Sequence, residues 1–286
     1  MTETRARAQA RFGPLVVQDY DGVRQLILNG QVQGGAALQP SSEVIRSGLR
    51  GPGPVSTCAY STGWLAAAAA NPEASMLMIG LGSGAGAVSV LFNFPDVTID
   101  VVEVDPVIME HALEWFPLVA HYVDTGRLRI HIADATDFVS AQETKWDLLL
   151  SDGYTGGNAL AVGGSKFYDQ ARKCCGEIWL NWIGVVNGIR MMREFDSLHA
   201  AGWSPETVFV PGFKPYPDLT KPRNWILTSQ IPDAEAMDVF VPYTALDNYD
   251  NQEARVMIDT MKQAWAVLLD SQMSTDELSG VNLALA

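Results

Sequence analysis

Positive charge is scarce in this chain: 19 lysines and arginines stand against 33 aspartates and glutamates, for a formal net charge of -14. Such a surface repels polyanions, which argues against nucleic acid and anionic membranes as partners, while a cationic small substrate is compatible with it. Cysteine is scarcer still. Cys58, Cys174 and Cys175 lack metal-ligand spacing, and a bridge between adjacent cysteines is rare, so reduced thiols in a cytoplasmic setting are expected. His111, His121, His131 and His199 form no ligand motif, so no metal is expected. Long apolar runs are missing too. Thr2 to Arg11 is polar and leads into no signal-type apolar stretch, and Ala66 to Ala70 is far too short to span a bilayer. Neither repeats nor low-complexity tracts occur.

What is present is a substantial core composition. The 286 residues are 48% hydrophobic, enough for one large domain with an appendage or two small ones. Near the start, Asp21-Gly22 and Asn29-Gly30 separate short alternating runs, a strong hairpin signal. Residues 13 to 35 therefore read as a small β-meander. A Gly/Pro-rich link containing Gly51-Pro52-Gly53-Pro54 follows, and then a helix from Ser61 to Ala70 with Ser61 or Thr62 as its cap. The division expected is 1–56 for tail, meander and linker, and 57–286 for a larger α/β domain ending in a helix from Glu253 to Leu269.

The richest segment runs from Met76 to Asp152. Met76-Leu77-Met78-Ile79 is a buried-strand run, and Gly80-Leu81-Gly82-Ser83-Gly84-Ala85-Gly86 opens a helix after it. The next strands end in Val101-Val102-Glu103-Val104-Asp105, in Ile132-Ala133-Asp134-Ala135 and in Leu148-Leu149-Leu150-Ser151-Asp152. Helices at Ala85 to Phe92 and Pro106 to Trp115 make βαβ units. Glu177 to Ile183 continues the sheet, backed by a helix from Gly188 to Ala201, and Thr207 to Val210 with Trp225 to Thr228 closes it as an antiparallel pair. The fold class expected is a doubly wound, Rossmann-like α/β sheet of the class I methyltransferase type with an N-terminal meander. In such sheets ligands bind where the strand carboxyl ends converge.

Gly80, Gly82 and Ala85 satisfy the dinucleotide pattern G-x-G-x-x-G/A, and Glu103 suits a ribose acceptor in that reading as well. Gly80, Gly82 and Gly84 are equally the first motif of S-adenosylmethionine enzymes. Asp134-Ala135 favours the second reading over the first. It supplies a carboxylate and a backbone N–H suited to adenine N6 and N1, whereas a dinucleotide's pyrophosphate would be repelled by an acid there. Tyr60, Tyr154 and Trp182 are candidates for an aromatic wall around a sulfonium, although each also reads as core. Likewise Glu103 reads as a solvated strand-end acid, Asp134 as a helix cap and Asp152 as a loop acid in the plainer interpretation. Gly156-Gly157 and Gly163-Gly164 bracket a stretch that reads as a gate or simply as a loop.

These motifs, in order and spacing, resemble the spermidine synthase (polyamine aminopropyltransferase) family and its methyltransferase-like relatives. Leu28-Asn29-Gly30-Gln31-Val32-Gln33 is similar to the family's L-D-G-x-x-Q, and Val102 to Pro106 to its V-E-I-D-P. Ala133-Asp134-Ala135 resembles G-D-A, Trp146 to Asp152 resembles Y-D-V-I-I-x-D, and Phe167-Tyr168 the F-Y after the gate loop. The resemblance implies Glu103 on the ribose, Asp134 on the adenine amino group, Gln33 near the methionine-derived tail and Asp152 at the reacting centre. Two departures qualify it. The acid of the family's G-G-G-D-G-G is Ser83 here, which favours intact over decarboxylated S-adenosylmethionine. The second acid of D-S-S-D-P and the Y-H-E segment are replaced by Gly153-Tyr154-Thr155 and Tyr60-Ser61-Thr62.

The expectation is an S-adenosylmethionine-dependent transferase acting on a small molecule, by methyl transfer or by attack on the aminocarboxypropyl arm, cyclisation included. Asp152, Tyr154 and Tyr60 are its candidate catalytic residues. Gln33, Gly80, Gly82, Ser83, Gly84, Glu103, Asp134 and Ala135 are expected to bind the cofactor. A polyamine aminopropyltransferase, a nicotinamide enzyme and a non-catalytic cofactor binder are the rivals, and a homodimer stays open.

Overall fold

A computed structural model describes residues 2–38, 52–54, 56–58, 60–154, 162–184, 189–203, 207–209 and 223–229. The expected helix from Glu253 to Leu269 and the Gly156-Gly157 pair lie outside these residues.

The N-terminal sheet has four antiparallel strands in sequential order: β1 (Glu3–Ala10), β2 (Gly13–Tyr20), β3 (Val23–Leu28) and β4 (Gln31–Ala37). Both short turns form as expected. Asp21-Gly22 and Asn29-Gly30 have positive φ at each position, the geometry that matches the twist of a two-residue hairpin. The first strand was missed by sequence reasoning, which took Thr2 to Arg11 as a polar tail. Its inward positions are the alanines Ala6, Ala8 and Ala10, too small and too weakly strand-forming to stand out.

The second sheet has seven strands in the order β10-β11-β9-β8-β5-β6-β7. Its strands are β5 (Ser75–Ile79), β6 (Thr98–Glu103), β7 (Leu128–Ile132), β8 (Trp146–Ser151), β9 (Cys175–Gly184), β10 (Thr207–Phe209) and β11 (Arg223–Thr228). Strands β5 to β9 are parallel, and β10 and β11 join antiparallel as expected. The chain winds outward from β5 through β6 to β7 and then returns to β8 on the other side, so the switch point lies between β5 and β8.

Side chains alternate across this sheet, as strand geometry requires. Met76 and Met78 join one core with the meander's Leu15, Val17, Leu26 and Leu28. Leu77 and Ile79 join the other. The first face is covered by α1 (Ser61–Ala70), α2 (Ala85–Asn93), α3 (Pro106–Trp115) and α4 (Pro117–Asp124). The second is covered by α5 (Ala135–Ser140), α6 (Ser165–Cys174) and α7 (Ile189–Ala200). In α1 the small residues Ala66, Ala67 and Ala68 are fully buried and allow close packing. No side chain caps this helix at its start; the Ser61 hydroxyl instead donates to the Cys58 carbonyl. Among the described residues no helix is long and apolar enough to cross a membrane.

Polar contacts hold the meander on the larger sheet. The Arg11 N–H donates to Asp105 Oδ2 at 2.5 Å, and Arg24 bridges from Asp19 to the carbonyl of Trp115 at the end of α3. The β1–β2 turn and β4 are thereby placed over the carboxyl edge of the parallel strands.

Candidate active site

Register alone aligns the strand tips. Ile79 pairs with Val102 on one side and Ser151 on the other, Glu103 pairs with Ile132, and Ser151 pairs with Leu180. The next residues along these strands are Gly80, Ala133, Asp152 and Asn181. Together with Glu103 they form one row along the sheet edge. A cavity of about 350 Å³ opens above this row, within the range of small-molecule sites, and the meander roofs it with Arg11, Phe12, Val32 and Gln33.

One half of the cavity is lined by Val104, Ile108, Ala133 and Ala135, with Glu103 and Asp134 between them. Glu103 is 6% exposed. Its Oε1 accepts the N–H groups of Val104 and Asp105 at 2.8 and 3.0 Å, and its Oε2 accepts that of Leu81 at 3.0 Å. Burial pushes its carboxyl up, and these N–H groups oppose the rise. Asp134 caps α5, its Oδ1 accepting from Thr136 and Asp137 at 2.8 and 3.2 Å, while the residue also borders the cavity. Capping and cavity-lining coexist in one side chain.

The other half contains Asp152, Tyr60, Tyr154, Asn181, Val162 and Ile183. Asp152 Oδ1 accepts from Asn181 Nδ2 at 2.8 Å, and the Tyr60 hydroxyl donates to the same carboxylate. Burial pushes the Asp152 carboxyl up to about 6, against those two hydrogen bonds. Burial, with the Asp152 carboxylate nearby, raises Tyr60 well above the usual phenol range. Cys58, hydrogen-bonded to Tyr60, is pushed up to about 12, chiefly by burial. It is an inert thiol at neutral pH. A partly desolvated carboxylate that titrates near 6 can hold a proton or accept one close to neutrality.

Three expectations need correction. Ser83 is 1% exposed and turns beneath Gly34 of β4, and its Oγ accepts from the Ala85 N–H. It is buried beneath the meander and is not among the residues that line the cavity. Gly84 also lies away from the cavity. A side chain there would strike Val119 of α4, so this glycine serves helix packing. Tyr154 borders the cavity, yet its hydroxyl donates to the Asn181 carbonyl at 2.9 Å and accepts from the Ile183 N–H at 2.8 Å. Its proton is committed to stitching the end of β9, which removes it as a catalytic acid or base. Trp182, by contrast, is core as its plainer reading had it: it is 5% exposed, because strand alternation sends it to the face opposite Asn181 and Ile183.

Gln33, Gly80, Gly82, Glu103, Asp134, Ala135, Tyr60 and Asp152 are brought together around the cavity. Asn181 was missed as a functional residue, although a polar residue inside Trp179-Leu180-Asn181-Trp182-Ile183 on a central strand was a usable signal. The donor set fits an adenosyl sulfonium. Glu103 and Asp134 offer carboxylates, Val104, Ile108, Ala133 and Ala135 offer apolar surface, Gly80 and Gly82 border the cavity without side chains, and Asp152 gives the other half negative rather than positive charge.

No protein-family model matches the chain. Two curated relatives, the eEF1A lysine and N-terminal methyltransferases of Mus musculus and Homo sapiens, are each 33% identical over 77 residues. That stretch covers 25% of this chain and 10% of theirs, so the match spans only a small part of those relatives' length. Among solved structures, spermidine synthase from Thermotoga maritima superposes on 90% of this chain and 83% of its own, with a TM-score of 0.56 and 15% identity. A probable spermidine synthase from Corynebacterium glutamicum superposes on 82% of this chain and 85% of its own, with a TM-score of 0.59 and 15% identity. At that identity the likeness is one of fold: the chain has the spermidine-synthase fold, a Rossmann-like sheet preceded by an antiparallel meander.

Proposed function

We propose that this chain is a transferase that uses S-adenosylmethionine, or its decarboxylated form, and acts on a small molecule. One observation carries the reading: a single cavity at the strand tips is bordered by Glu103 and Asp134 together with the apolar Val104, Ile108, Ala133 and Ala135, and also by a desolvated carboxylate, Asp152. The cofactor, when bound, supplies an electrophilic carbon next to a positively charged sulfur. The chain's own residues do the rest. Glu103 and Asp134 orient the adenosine, and the meander's Phe12, Val32 and Gln33 border the site from above. Asp152 aligns a nucleophile and takes its proton on a carboxylate oxygen. Tyr60, held to Asp152, fixes the direction of that carboxylate.

Methyl transfer and attack on the aminocarboxypropyl arm both fit this arrangement. The short likeness to a lysine and N-terminal methyltransferase supports the first, and the fold shared with spermidine synthases supports the second. Incubating the protein with each cofactor form, with and without amines, and analysing products by mass spectrometry tests the proposal. S-adenosylhomocysteine reports methyl transfer, and methylthioadenosine reports attack on the arm. Binding without turnover of either form would make the chain a cofactor-binding protein, and no binding would overturn the reading.

A further inference from the structure

Two thiols lie side by side where α6 meets β9. Cys174 ends the helix and Cys175 opens the strand, and their sulfurs are 3.9 Å apart. The backbone that carries them is fixed. Arg172 donates to the carbonyls of Cys175 and Gly176 at 3.2 and 2.9 Å, and Lys145 donates to that of Lys173. Both cysteines are buried, at 2% and 4% exposure, yet Arg172, Lys173 and Gly176 on either side of them are exposed, as is Lys145. The pair therefore sits one layer beneath the surface. It also stands apart from the cavity, since Asn181 is six residues further along β9, a span of about 20 Å.

A thiol pair can close into a disulfide or hold one atom between its sulfurs, and the geometry separates the two. Adjacent Cα atoms are about 3.8 Å apart, below the roughly 4.4 Å at which ordinary disulfides begin, so direct closure is strained. An inserted atom with bonds of about 2.3 Å at near-tetrahedral angles instead holds two sulfurs about 3.8 Å apart, close to the spacing already present. Among the described residues no group of three or more His, Cys, Asp or Glu is placed to hold a metal ion. The inserted centre must therefore be satisfied by two protein ligands. We infer that Cys174 and Cys175 form a binding site for a trivalent arsenical, a thiophile that brings its third substituent with it. The reaction is a condensation: two As–S bonds form, and both thiol protons leave with the arsenical's oxygen as water, with no oxidant or reductant. The Cys175 thiol donates to Cys174 and, with Lys145 nearby, holds the Cys174 thiol below its usual range despite burial, which supplies the first nucleophile. This site is independent of the transferase reading.

The test is native mass spectrometry of the full chain incubated with phenylarsine oxide. Wild type and C58A should each take up one phenylarsenic group with loss of water. A dithiol such as dimercaptopropanol should remove it, and a monothiol at the same thiol concentration should not. C174A and C175A each leave one sulfur, so each should bind at least about a hundredfold more weakly, because the second sulfur acts at high effective concentration. The dithiol-against-monothiol comparison is made on wild type and stands even if an alanine variant does not fold. An adduct that forms only in urea would overturn the inference, as would one that persists in C174A or is lost in C58A. Treatment of wild type with the thiol oxidant diamide supplies the contrast. Ready closure of an internal Cys174–Cys175 disulfide in the folded protein would overturn the preference for a held atom.

Discussion

The main-chain oxygen of Gln33 occupies the space into which a side chain on residue 82 would project. The meander and the glycine loop therefore meet backbone to backbone, and Gly82, at φ +54°, is needed for that approach as well as for its left-handed conformation. Gly82→Ala should lower the melting temperature by more than the left-handed backbone explains. Gly30→Ala provides the comparison, since Gly30 has φ +77° but nothing within 4 Å of the position a Cβ would take. Gly30→Ala should cost about 1–2 kcal/mol, and Gly82→Ala clearly more, with weaker cofactor binding. Equal melting temperatures for the two variants would mean that the Gln33 contact relaxes freely.

The strand ends were legible in the sequence because each is a run of apolar residues stopped by a glycine or an acid. Register then carried Gly80, Glu103, Asp134 and Asp152 to one edge. The facing of the loop residues was not legible. Ser83 and Gly84 sit in the same motif as Gly82, yet their directions depend on Gly34 and Val119, which arrive from distant parts of the chain. Tyr154 failed for a similar reason. Its hydroxyl is taken by backbone groups of Asn181 and Ile183, which are neighbours only after β9 docks beside β8. Strand β1 was hidden because alanine carries little hydrophobic signal.

Replacing Glu103 by glutamine should act on binding and stability together. The carboxylate holds three backbone N–H groups of the loop and strand end, so the variant loses charge-assisted bonds in the protein itself. S-adenosylmethionine affinity should fall by about 1.5–3 kcal/mol, roughly ten- to a hundredfold, and the melting temperature should drop by several degrees. Calorimetry beside a melting curve separates the two effects. A lower melting temperature with unchanged affinity would make Glu103 a brace of the loop and nothing more.

Asp100 should govern acid stability. Its carboxylate takes two hydrogen bonds from Arg129 at 2.8 and 2.6 Å, and one each from His131 Nε2 and Trp146 Nε1 at 2.7 and 2.9 Å. Burial alone would raise its carboxyl, but the Arg129, His131 and Trp146 hydrogen bonds bring it down from 3.8 to about 2. A depressed folded-state value means that the stabilisation is present above 3.8 and is lost as pH falls toward about 2. Asp100→Asn should therefore cost about 2 kcal/mol at neutral pH, and the gap to wild type should narrow between about pH 4 and pH 2. Urea unfolding across that range measures it. A gap independent of pH would assign the loss to packing instead of charge.

The decisive variant for the chemistry is Asp152→Asn. The substitution preserves shape and removes the carboxylate that Asn181 and Tyr60 hold in place. If this group accepts the proton of the nucleophile, turnover should fall by about 10²–10⁴-fold. Cofactor affinity should change little, because the adenosine contacts assigned to Glu103 and Asp134 lie on other strand tips. The pH profile supplies an independent readout. Burial raises the Asp152 carboxyl to about 6, so wild-type turnover should climb with pH through that value as the carboxylate forms, and the climb should vanish in the variant. The same raised value carries the opposite sign for stability. Between 3.8 and about 6 the folded state binds more protons at Asp152 than the unfolded state, so its contribution to stability declines as pH rises through that window. Activity that increases while stability declines over one pH range would mark Asp152 as a group held desolvated for its reaction. Retention of near-normal turnover in Asp152→Asn would take the carboxylate out of the mechanism and leave orientation alone to account for transfer.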